Sequence, residues 1–368
     1  MPKVNKGLAS KVKSVKIHSS EPLWRGPCDP GPLGGITQSM IGNWLCDRER
    51  FRIKYVEGLR TVETFNHRLE YGHMWHACEE ALAKGVEWPT ALERYAQKLL
   101  VDHPTQQQEV EKWYMACRMQ FPCYVDYWKK QKDVVNRTPL LQEEVFDVPY
   151  ELSSGKVVRL RGKFDSVDLI GRGKEAGVYL QENKTKGDAD EQAIKQQLRF
   201  DLQTNMYLVA LREMGTGTTC GLKGVRYNVI RRPLSGGKGS IKQKEATKNH
   251  PAETAEEYWD RLQQYFLREP EAFFMRWTSE VSPQDLKEFE RRCLIPILEQ
   301  ICCWYEMVAS RSDPFSLKDN PFHWLHYQFP YGVTNMLMEG GANEYDVYIE
   351  TGSRAGLKRR DSLFQELQ

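Results

Sequence analysis

The sequence predicts an α+β fold in which a mixed β-sheet is flanked by helices. Residues 89–133 carry aromatic and apolar side chains at helical spacing, and residues 141–184 alternate apolar and polar side chains. Residues 187–215 return to helical spacing, and the run GVRYNVIRR then has the character of a strand. Apolar residues recur every three or four positions in a half-buried helix and every second position in a half-buried strand, so the order is helix, three strands, helix, strand.

Length, composition and charge exclude several classes of protein. The chain has 368 residues, of which 40% are hydrophobic, so it can bury a core as one elaborated domain or two poorly separated ones. A net charge of +2 gives no global field, and any basic surface must be local. The chain has no apolar run of membrane-spanning length, and its start lacks the apolar region of a signal peptide. We therefore expect a cytoplasmic protein, and the nine cysteines, an odd number, fit a reducing compartment.

The first part of the chain predicts an arm followed by helices. Residues 1–35 are basic and then rich in Pro and Gly, which indicates an extended arm that either follows phosphate groups or is a solvated tail. The segment RLEYGHMWHACEEALAKG predicts a helix in which His73 and His76 lie roughly on one face. On sequence alone, such histidines are more often packing or surface residues than ligands. The aromatic residues of 89–133 are typical of helix packing, which we favour over base stacking.

The strands carry the residues with the clearest chemistry. Because strand side chains alternate faces, Glu182 and Lys184 of VYLQENK point the same way at the end of an apolar row. The preceding strand, LRGKFDSVDLI, is expected to run antiparallel and to bring Asp165 beside Glu182. Two close carboxylates require a cation between them. Taken singly, Asp165 could equally be a strand-end carboxylate and Lys184 its surface ion-pair partner.

The following helix and loop complete the pattern. Gln203 and Tyr207 are four residues apart and so are neighbours on one face of the helix predicted over 187–215. A Gly-rich basic stretch, LSGGKGSIKQKEATKNH, then precedes a helix predicted through AETAEEYWDRLQQYFLREPEAFFMRW. The SGGKGS run lacks the spacing of a phosphate-binding loop, so nucleotide binding is rejected. This loop either contacts DNA phosphates or is a surface loop without a binding role.

Four of these motifs, in this order, resemble the PD-(D/E)XK nuclease superfamily and, within it, the RecB-like exonuclease branch. They are YGHMWH, RGKFD, ENK and DLQTNMY, and they lie within about residues 40–232. The resemblance implies a three-layer, restriction-endonuclease-like core over 36–232 that contains the helices of 89–133 as an insertion. Residues 233–368 would then be a mostly helical extension packed on that core.

The resemblance also implies a role for each matching residue. His76, Asp165, Glu182 and the backbone carbonyl of Asn183 would hold Mg²⁺ or Mn²⁺, a choice that fits an oxygen-rich site with one imidazole. Lys184 would orient or deprotonate the attacking water and balance charge in the transition state. The remaining candidates are the pair that would complete the site, Gln203 and Tyr207, and an accessory acid, Glu144, although Glu143 stands beside it.

Many RecB-like relatives hold an iron-sulfur cluster on one cysteine before the core and three after it. Cys46 matches the first of these positions, and the late cysteines are Cys293, Cys302 and Cys303. All three fall on one predicted helix, where adjacent Cys302 and Cys303 point in different directions. Because a cubane cluster needs four thiolates, we expect no cluster and interpret the cysteines as packing residues.

Together these features predict a metal-dependent DNA nuclease of the RecB-like exonuclease type, acting on DNA ends in recombination, repair or phage DNA processing. Such a protein would be intracellular, in a bacterium or encoded by a phage, and a helicase or recombinase partner is not identifiable. Two alternatives stay open: a restriction-like endonuclease, and a non-catalytic DNA-binding module that keeps the fold.

Overall fold

The computed structural model describes most of the chain between residue 22 and residue 309, and a short part of its end. The described ranges are 22–56, 58–61, 65–130, 137–172, 176–187, 191–199, 201–215, 221–234, 241–248, 250–309, 357–360, 362–364 and 367.

A mixed sheet of five strands lies at the centre of the described part of the molecule. The strands of this sheet are β2 (Arg137–Glu151), β3 (Val157–Ile170), β4 (Gly177–Lys186), β5 (Leu222–Arg231) and β6 (Phe274–Glu280). They stand side by side in chain order, and only β4 and β5 are parallel. A separate small sheet pairs β1 (Leu59–Thr61) with β7 (Leu357–Arg359) in antiparallel orientation.

Helices cover both faces of this sheet. They are α1 (Gln38–Cys46), α2 (Arg48–Phe51), α3 (His67–Ala83), α4 (Trp88–Asp102), α5 (Gln107–Lys129), α6 (Glu191–Arg199), α7 (Leu202–Glu213), α8 (Ala255–Arg268), α9 (Pro283–Phe289) and α10 (Ile295–Ala309). Arg52–Val56 and Glu290–Leu294 are π-helical turns, and Pro270–Ala272 is a 3₁₀ turn.

Two hydrophobic clusters hold the layers together. One joins α7, α1 and α10 to the inner faces of β2–β5. The other joins α3, α4, α5 and α8, and reaches the sheet at Ile230 and Phe274. The predicted α+β architecture, a mixed sheet between helical layers, is therefore confirmed. None of the helices in the described ranges is both long and apolar enough to cross a membrane.

The helix predicted over residues 187–215 is broken in two. α6 ends at Arg199 and α7 begins at Leu202, with Asp201 in an extended conformation between them (φ −62°, ψ 120°). The carboxylate of Asp201 accepts a hydrogen bond of 3.0 Å from the backbone N–H of Thr204. An aspartate in this position satisfies one of the free donors of the first turn, so a new helix starts there.

The sheet also contains a strand where a helix was predicted. α8 ends at Arg268, and Pro270 opens a short turn because it cannot continue the hydrogen bonding of a helix. The chain then forms β6 antiparallel to β5, with Tyr227 opposite Trp277. The segment FMRWTSE therefore extends the sheet beyond residue 232.

The expected N-terminal arm is packed rather than free over its described part. Trp24 is fully buried, and its indole N–H donates a hydrogen bond of 2.7 Å to the carbonyl of Gly35. Ile36 forms a parallel bridge with Leu160 of β3. The basic residues 1–21 and most of the predicted C-terminal extension after Ala309 lie outside the described residues.

Candidate functional site

Three residues that could ligate a metal converge from three elements. His76 comes from α3, Glu143 from β2 and Asp165 from β3, and one ligand atom of each lies within 4.8 Å of the others. Nδ1 of His76 is 3.6 Å from Oδ1 of Asp165 and 3.9 Å from Oε1 of Glu143. Sequence reasoning expected His76 beside Asp165, although 88 intervening positions separate them in the chain.

The acid in this cluster is Glu143 and not the predicted Glu144. Glu143 lies between two paired positions of the β2–β3 ladder, Gln142 with Ser166 and Glu144 with Phe164. Its φ of +49° is left-handed, an uncommon conformation for a residue other than glycine, and its side chain is buried over Asp165. Glu144 is exposed, so the structure corrects the accessory-acid prediction by one residue.

The charged side chains of this cluster shift the pKa values of one another. Burial opposes a charged imidazole, but the carboxylates of Asp165 and Glu143 outweigh it and raise the pKa of His76 to about 9. Burial also acts to raise the pKa of Glu143, yet His76 and Lys163 bring it below its ordinary value. The ammonium of Lys163 lies 2.7 Å from Glu143 and 3.6 Å from Glu80. A bound cation would replace the proton of His76 as the partner of these carboxylates.

A second group joins the end of β4 to α7. The ammonium of Lys184 donates hydrogen bonds of 2.7 Å to Oε2 of Glu182 and 2.9 Å to Oε1 of Gln203. The amide of Gln203 in turn donates to the same Oε2 of Glu182 at 3.1 Å. The predicted common face of Glu182 and Lys184 is therefore present, and Gln203 closes a triangle with them.

Burial and nearby charge set the protonation of this triangle. Burial raises the pKa of the fully buried Glu182, the carboxylate of Asp165 acts in the same direction, and Lys184 opposes both. Burial acts to lower the pKa of Lys184, but Glu182 and Asp165 outweigh it, so the pKa of Lys184 lies above its ordinary value. Lys184 is therefore a fixed cation at neutral pH.

The donor atoms fit a hard divalent cation. Oε1 of Glu182 is buried and has no hydrogen-bond partner among the described residues, which is costly unless another group binds it. Asp165 directs Oδ1 toward His76, while its Oδ2 accepts a hydrogen bond of 2.7 Å from the backbone N–H of Asn183. Carboxylate oxygens with one imidazole are ligands that Mg²⁺ and Mn²⁺ accept. His76, Glu143, Asp165 and the free oxygen of Glu182 are therefore suited to hold such an ion.

Asn183 points to the opposite face of the sheet from Glu182. Its side-chain oxygen accepts a hydrogen bond of 2.8 Å from the amide of Asn228, which also donates to the hydroxyl of Tyr124 at 2.6 Å. This buried network fixes Asn183, and with it the backbone N–H that holds Asp165. A metal-binding role for its backbone carbonyl stays a prediction.

Tyr207 lies one turn beyond Gln203 on α7 and is mostly buried. Its ring packs edge-on against Phe146 at 5.1 Å and Phe164 at 5.7 Å. Gly162 makes this packing possible, because a Cβ there would lie 2.5 Å from Phe146 and 3.0 Å from Tyr207. The close approach to the backbone at Gly162 is therefore made by aromatic rings of the protein itself.

His76, Glu143 and Asp165 open into a cleft of about 850 Å³, whereas Glu182 and Lys184 are not among its lining residues. Residues with predicted roles that line it are His76, Asp165, Gln203 and Tyr207. Glu143 and Lys163 line it as well, and sequence reasoning did not select either. Lys163 stands two residues before Asp165 and therefore on the same side of a regular strand, a signal that could have indicated it.

None of the cysteines that the structure describes lines this cleft. Cys46 is exposed at the end of α1, and Cys28 lies near Cys302, with the two sulfur atoms 3.7 Å apart. Cys303 is exposed on the same helix as Cys302. Among the described residues, the histidine–carboxylate cluster could hold a metal ion, and no group of three or more possible ligands contains a cysteine.

Comparison with known proteins agrees with the geometry. The family model of the PD-(D/E)XK nuclease superfamily matches residues 46–294, about two thirds of the chain and all of the strands β2–β6. No curated protein matches the sequence significantly. The matched region contains His76, the carboxylates of β2–β4 and Lys184, in that order along the chain. The chain therefore belongs to the PD-(D/E)XK nuclease superfamily.

Proposed function

We propose that the protein is a DNA nuclease of the RecB-like exonuclease type that requires Mg²⁺ or Mn²⁺. The observation that supports this most is the convergence of His76, Glu143 and Asp165 beside the Glu182–Lys184 pair. Family membership supports phosphodiester hydrolysis and a divalent metal, and the exonuclease mode, the choice of ion and a role in recombination, repair or phage DNA processing are our proposal.

The carboxylates share one task in this proposal, which is to bind the metal ion. Asp165, Glu143 and Glu182 provide the negative charge that holds the cation, with His76 as the fourth donor. The ion, when bound, would polarise a phosphoryl oxygen and lower the pKa of a water. The backbone N–H of Asn183 keeps Asp165 in position through its hydrogen bond to Oδ2.

Lys184 is suited to act as a cation rather than as a base. Its raised pKa keeps it protonated at neutral pH, and Glu182 and Gln203 fix the direction of its ammonium. From there it can donate a hydrogen bond to the attacking water and balance charge that develops on the phosphate. Gln203 positions Lys184, and Tyr207 packs against Phe146 of β2 and Phe164 of β3.

The decisive experiment is a cleavage assay on end-labelled linear single-stranded and duplex DNA and on closed circular DNA, each with Mg²⁺, Mn²⁺ or a chelator. We expect linear DNA to be degraded from its ends with either ion and no cleavage with chelator. Lys184→Ala should lower the rate roughly 100- to 1,000-fold, the range seen when a donor to transition-state charge is removed. Glu182→Ala should abolish cleavage.

The matched control is Lys112→Ala, which removes an exposed lysine that forms an ion pair with Glu109 on α5. It should cleave like the wild type, and circular dichroism should show all variants folded. Full activity in folded Lys184→Ala or Glu182→Ala would contradict the proposal. Cleavage of the circle would favour the endonuclease alternative, and binding without cleavage under Mn²⁺ would favour the non-catalytic one.

A further inference from the structure

A buried pair of asparagines joins β4 to β5 on the face of the sheet opposite Glu182. Asn183 and Asn228 lie across from each other in the parallel β4–β5 ladder, and both side chains are buried. Ile230, two residues further along β5, belongs to the hydrophobic cluster of α3, α4, α5 and α8. A polar pair beside such a cluster costs free energy unless its hydrogen bonds are made, so the partners of these two amides decide whether the pair can be there.

The side-chain amide of Asn228 is held in one orientation. Its Nδ2 donates to Oδ1 of Asn183 at 2.8 Å and to the hydroxyl of Tyr124 at 2.6 Å. Its Oδ1 accepts a hydrogen bond of 3.4 Å from Nε of Arg276, whose guanidinium lies over the ring of Trp128, 3.7 Å from its centre. Turning the amide round would place donor against donor at Arg276 and break both bonds from Nδ2.

Tyr124 connects this pair to helix α5. Its ring is buried and packs edge-on against Trp75 of α3 at 5.1 Å and Phe274 of β6 at 5.5 Å. Burial and the nearby carboxylate of Glu79 raise the pKa of Tyr124, so its hydroxyl keeps its proton. A neutral hydroxyl on a tightly packed ring therefore determines where the amide of Asn228 lies.

The backbone of Asn183 transmits this position to the site. Its N–H donates to Oδ2 of Asp165 at 2.7 Å, and the residue stands between Glu182 and Lys184 in the chain. A rotation of this part of β4 would therefore displace Asp165 and Glu182 together. Residues that orient metal ligands in this way change metal affinity by about 10- to 100-fold when they are mutated.

We propose that Asn228 and Tyr124 are positioning residues that hold Asp165 and Glu182 in place through Asn183 and so set the affinity of the site for a divalent cation. Neither Asn228 nor Tyr124 is among the residues that line the cleft, so both act through other residues. This inference rests on the proposed nuclease function and concerns its metal site.

The test compares two buried tyrosines. Tyr124→Phe removes the hydroxyl that holds Asn228, whereas Tyr71→Phe removes a hydroxyl that is hydrogen-bonded to Gln120 at 2.5 Å. Tyr71 is fully buried on α3 and does not line the cleft, so it is a matched control. Asn228→Ala removes the link itself. Mn²⁺ binding to each folded protein is measured by isothermal titration calorimetry without DNA, and urea unfolding is measured alongside.

We expect Tyr124→Phe to raise the Kd of Mn²⁺ roughly tenfold and Asn228→Ala to raise it about 10- to 100-fold. Tyr71→Phe should bind Mn²⁺ like the wild type, although it loses a buried hydrogen bond of the same kind. The Mn²⁺ concentration needed for half-maximal cleavage of linear DNA should shift in parallel with Kd. The rate at saturating Mn²⁺ should recover towards that of the wild type, which a general structural defect would not allow.

Wild-type Mn²⁺ affinity in Tyr124→Phe, or an equal loss of affinity in Tyr71→Phe, would overturn the inference and leave the nuclease intact. Tyr124→Phe keeps the packed ring, so this comparison stands even if Asn228→Ala does not fold. Mn²⁺ binding without cleavage of any DNA would refute the nuclease, and the two affinities would still decide the role of Tyr124. Absence of Mn²⁺ binding by the wild type would refute the inference, and cleavage with Mg²⁺ would decide the nuclease separately.

Discussion

At the scale of single residues, the site depends on carboxylates whose directions the backbone fixes. Glu143 reaches Asp165 because its left-handed φ breaks the regular alternation of β2. Its ion pair with Lys163 and its contact with His76 keep its pKa low, so it is an anion at neutral pH. The cluster therefore has an ionised Glu143 beside the imidazole and next to Asp165.

The adjacent glutamates provide a matched pair of variants. Glu143→Gln should raise the Mn²⁺ concentration needed for half-maximal cleavage tenfold or more. Mutation of a residue that only hydrogen-bonds to a metal ligand already lowers metal affinity by about 10- to 100-fold, and a direct ligand should matter at least as much. Glu144→Gln removes a charge of the same kind one residue away, where the side chain is exposed, and should leave the metal titration unchanged. Coincident titration curves for the two variants would exclude Glu143 as a ligand.

At the scale of elements, α7 connects the site to the helices at the far end of the sheet. Its first turn brings Gln203 to Lys184, and its last turn brings Arg212 to Glu290 in the π-helical turn after α9. Both terminal nitrogens of the Arg212 guanidinium donate to Glu290 at 2.7 Å, and the hydroxyl of Tyr150 on β2 donates to it at 2.7 Å. One carboxylate therefore ties a helix, a strand and a turn together.

The contacts of Glu290 with Arg212 and Tyr150 make part of the free energy of unfolding depend on pH. Burial acts to raise the pKa of Glu290, but the hydrogen bonds from Arg212 and Tyr150 outweigh it, so the folded-state pKa lies below the ordinary value. The ionised Glu290 stabilises the fold fully at pH values above the pKa of a glutamate in the unfolded chain, about 4.3. This stabilisation is lost as the pH falls through the lower pKa that Glu290 has in the folded protein. Glu290→Gln should reduce the free energy of unfolding by about 1–3 kcal/mol at pH 7, and the difference should shrink in acid.

Urea denaturation at pH 7 and at pH values below 4 measures the difference in free energy of unfolding between the wild type and Glu290→Gln. The control is Glu288→Gln, two residues earlier, whose carboxylate pairs with Arg291 at the surface. Its effect at pH 7 should be much smaller, because exposed ion pairs contribute little. A pH-independent loss in Glu290→Gln would mean that packing, and not the charge, stabilises this turn.

At the scale of the whole molecule, the start and the end of the described chain both pack against the core. Near the start, the ring of Trp24 packs edge-on against Tyr305 of α10, with centroids 5.0 Å apart. Near the end, Phe364 and Leu363 join the same hydrophobic cluster. The cleft is consequently bordered by residues from distant parts of the sequence.

Phe364→Ala tests how much the C-terminal residues around Phe364 contribute to the stability of the core. Removing a buried phenylalanine should lower the free energy of unfolding by about 3–5 kcal/mol, and losing its contact with Arg161 adds to the effect. Phe364→Leu keeps most of the buried volume and should cost clearly less. Thermal and urea unfolding measure both, and wild-type stability in Phe364→Ala would show that the end of the chain does not contribute to the core.

Much of the site could be predicted because it depends on the local geometry of single strands and helices. Alternation along β4 places Glu182 and Lys184 on one face, and the short connection to β3 makes Asp165 a neighbour. The spacing of four residues puts Gln203 and Tyr207 on one side of a helix. These relations are set by strand and helix geometry, which the sequence pattern reveals directly.

The remaining features are decided by contacts between distant segments. The sequence alone determined an α+β fold, the order of its motifs and the neighbouring positions of Asp165, Glu182 and Lys184. Only the tertiary structure decided that Glu143 rather than Glu144 joins the cluster, because a single left-handed residue reverses which side chain faces inward. It also decided that FMRWTSE is a strand and that the C-terminal segment borders the cleft, since pairing with β5 and burial of Phe364 are non-local interactions that no periodicity of the segment itself records.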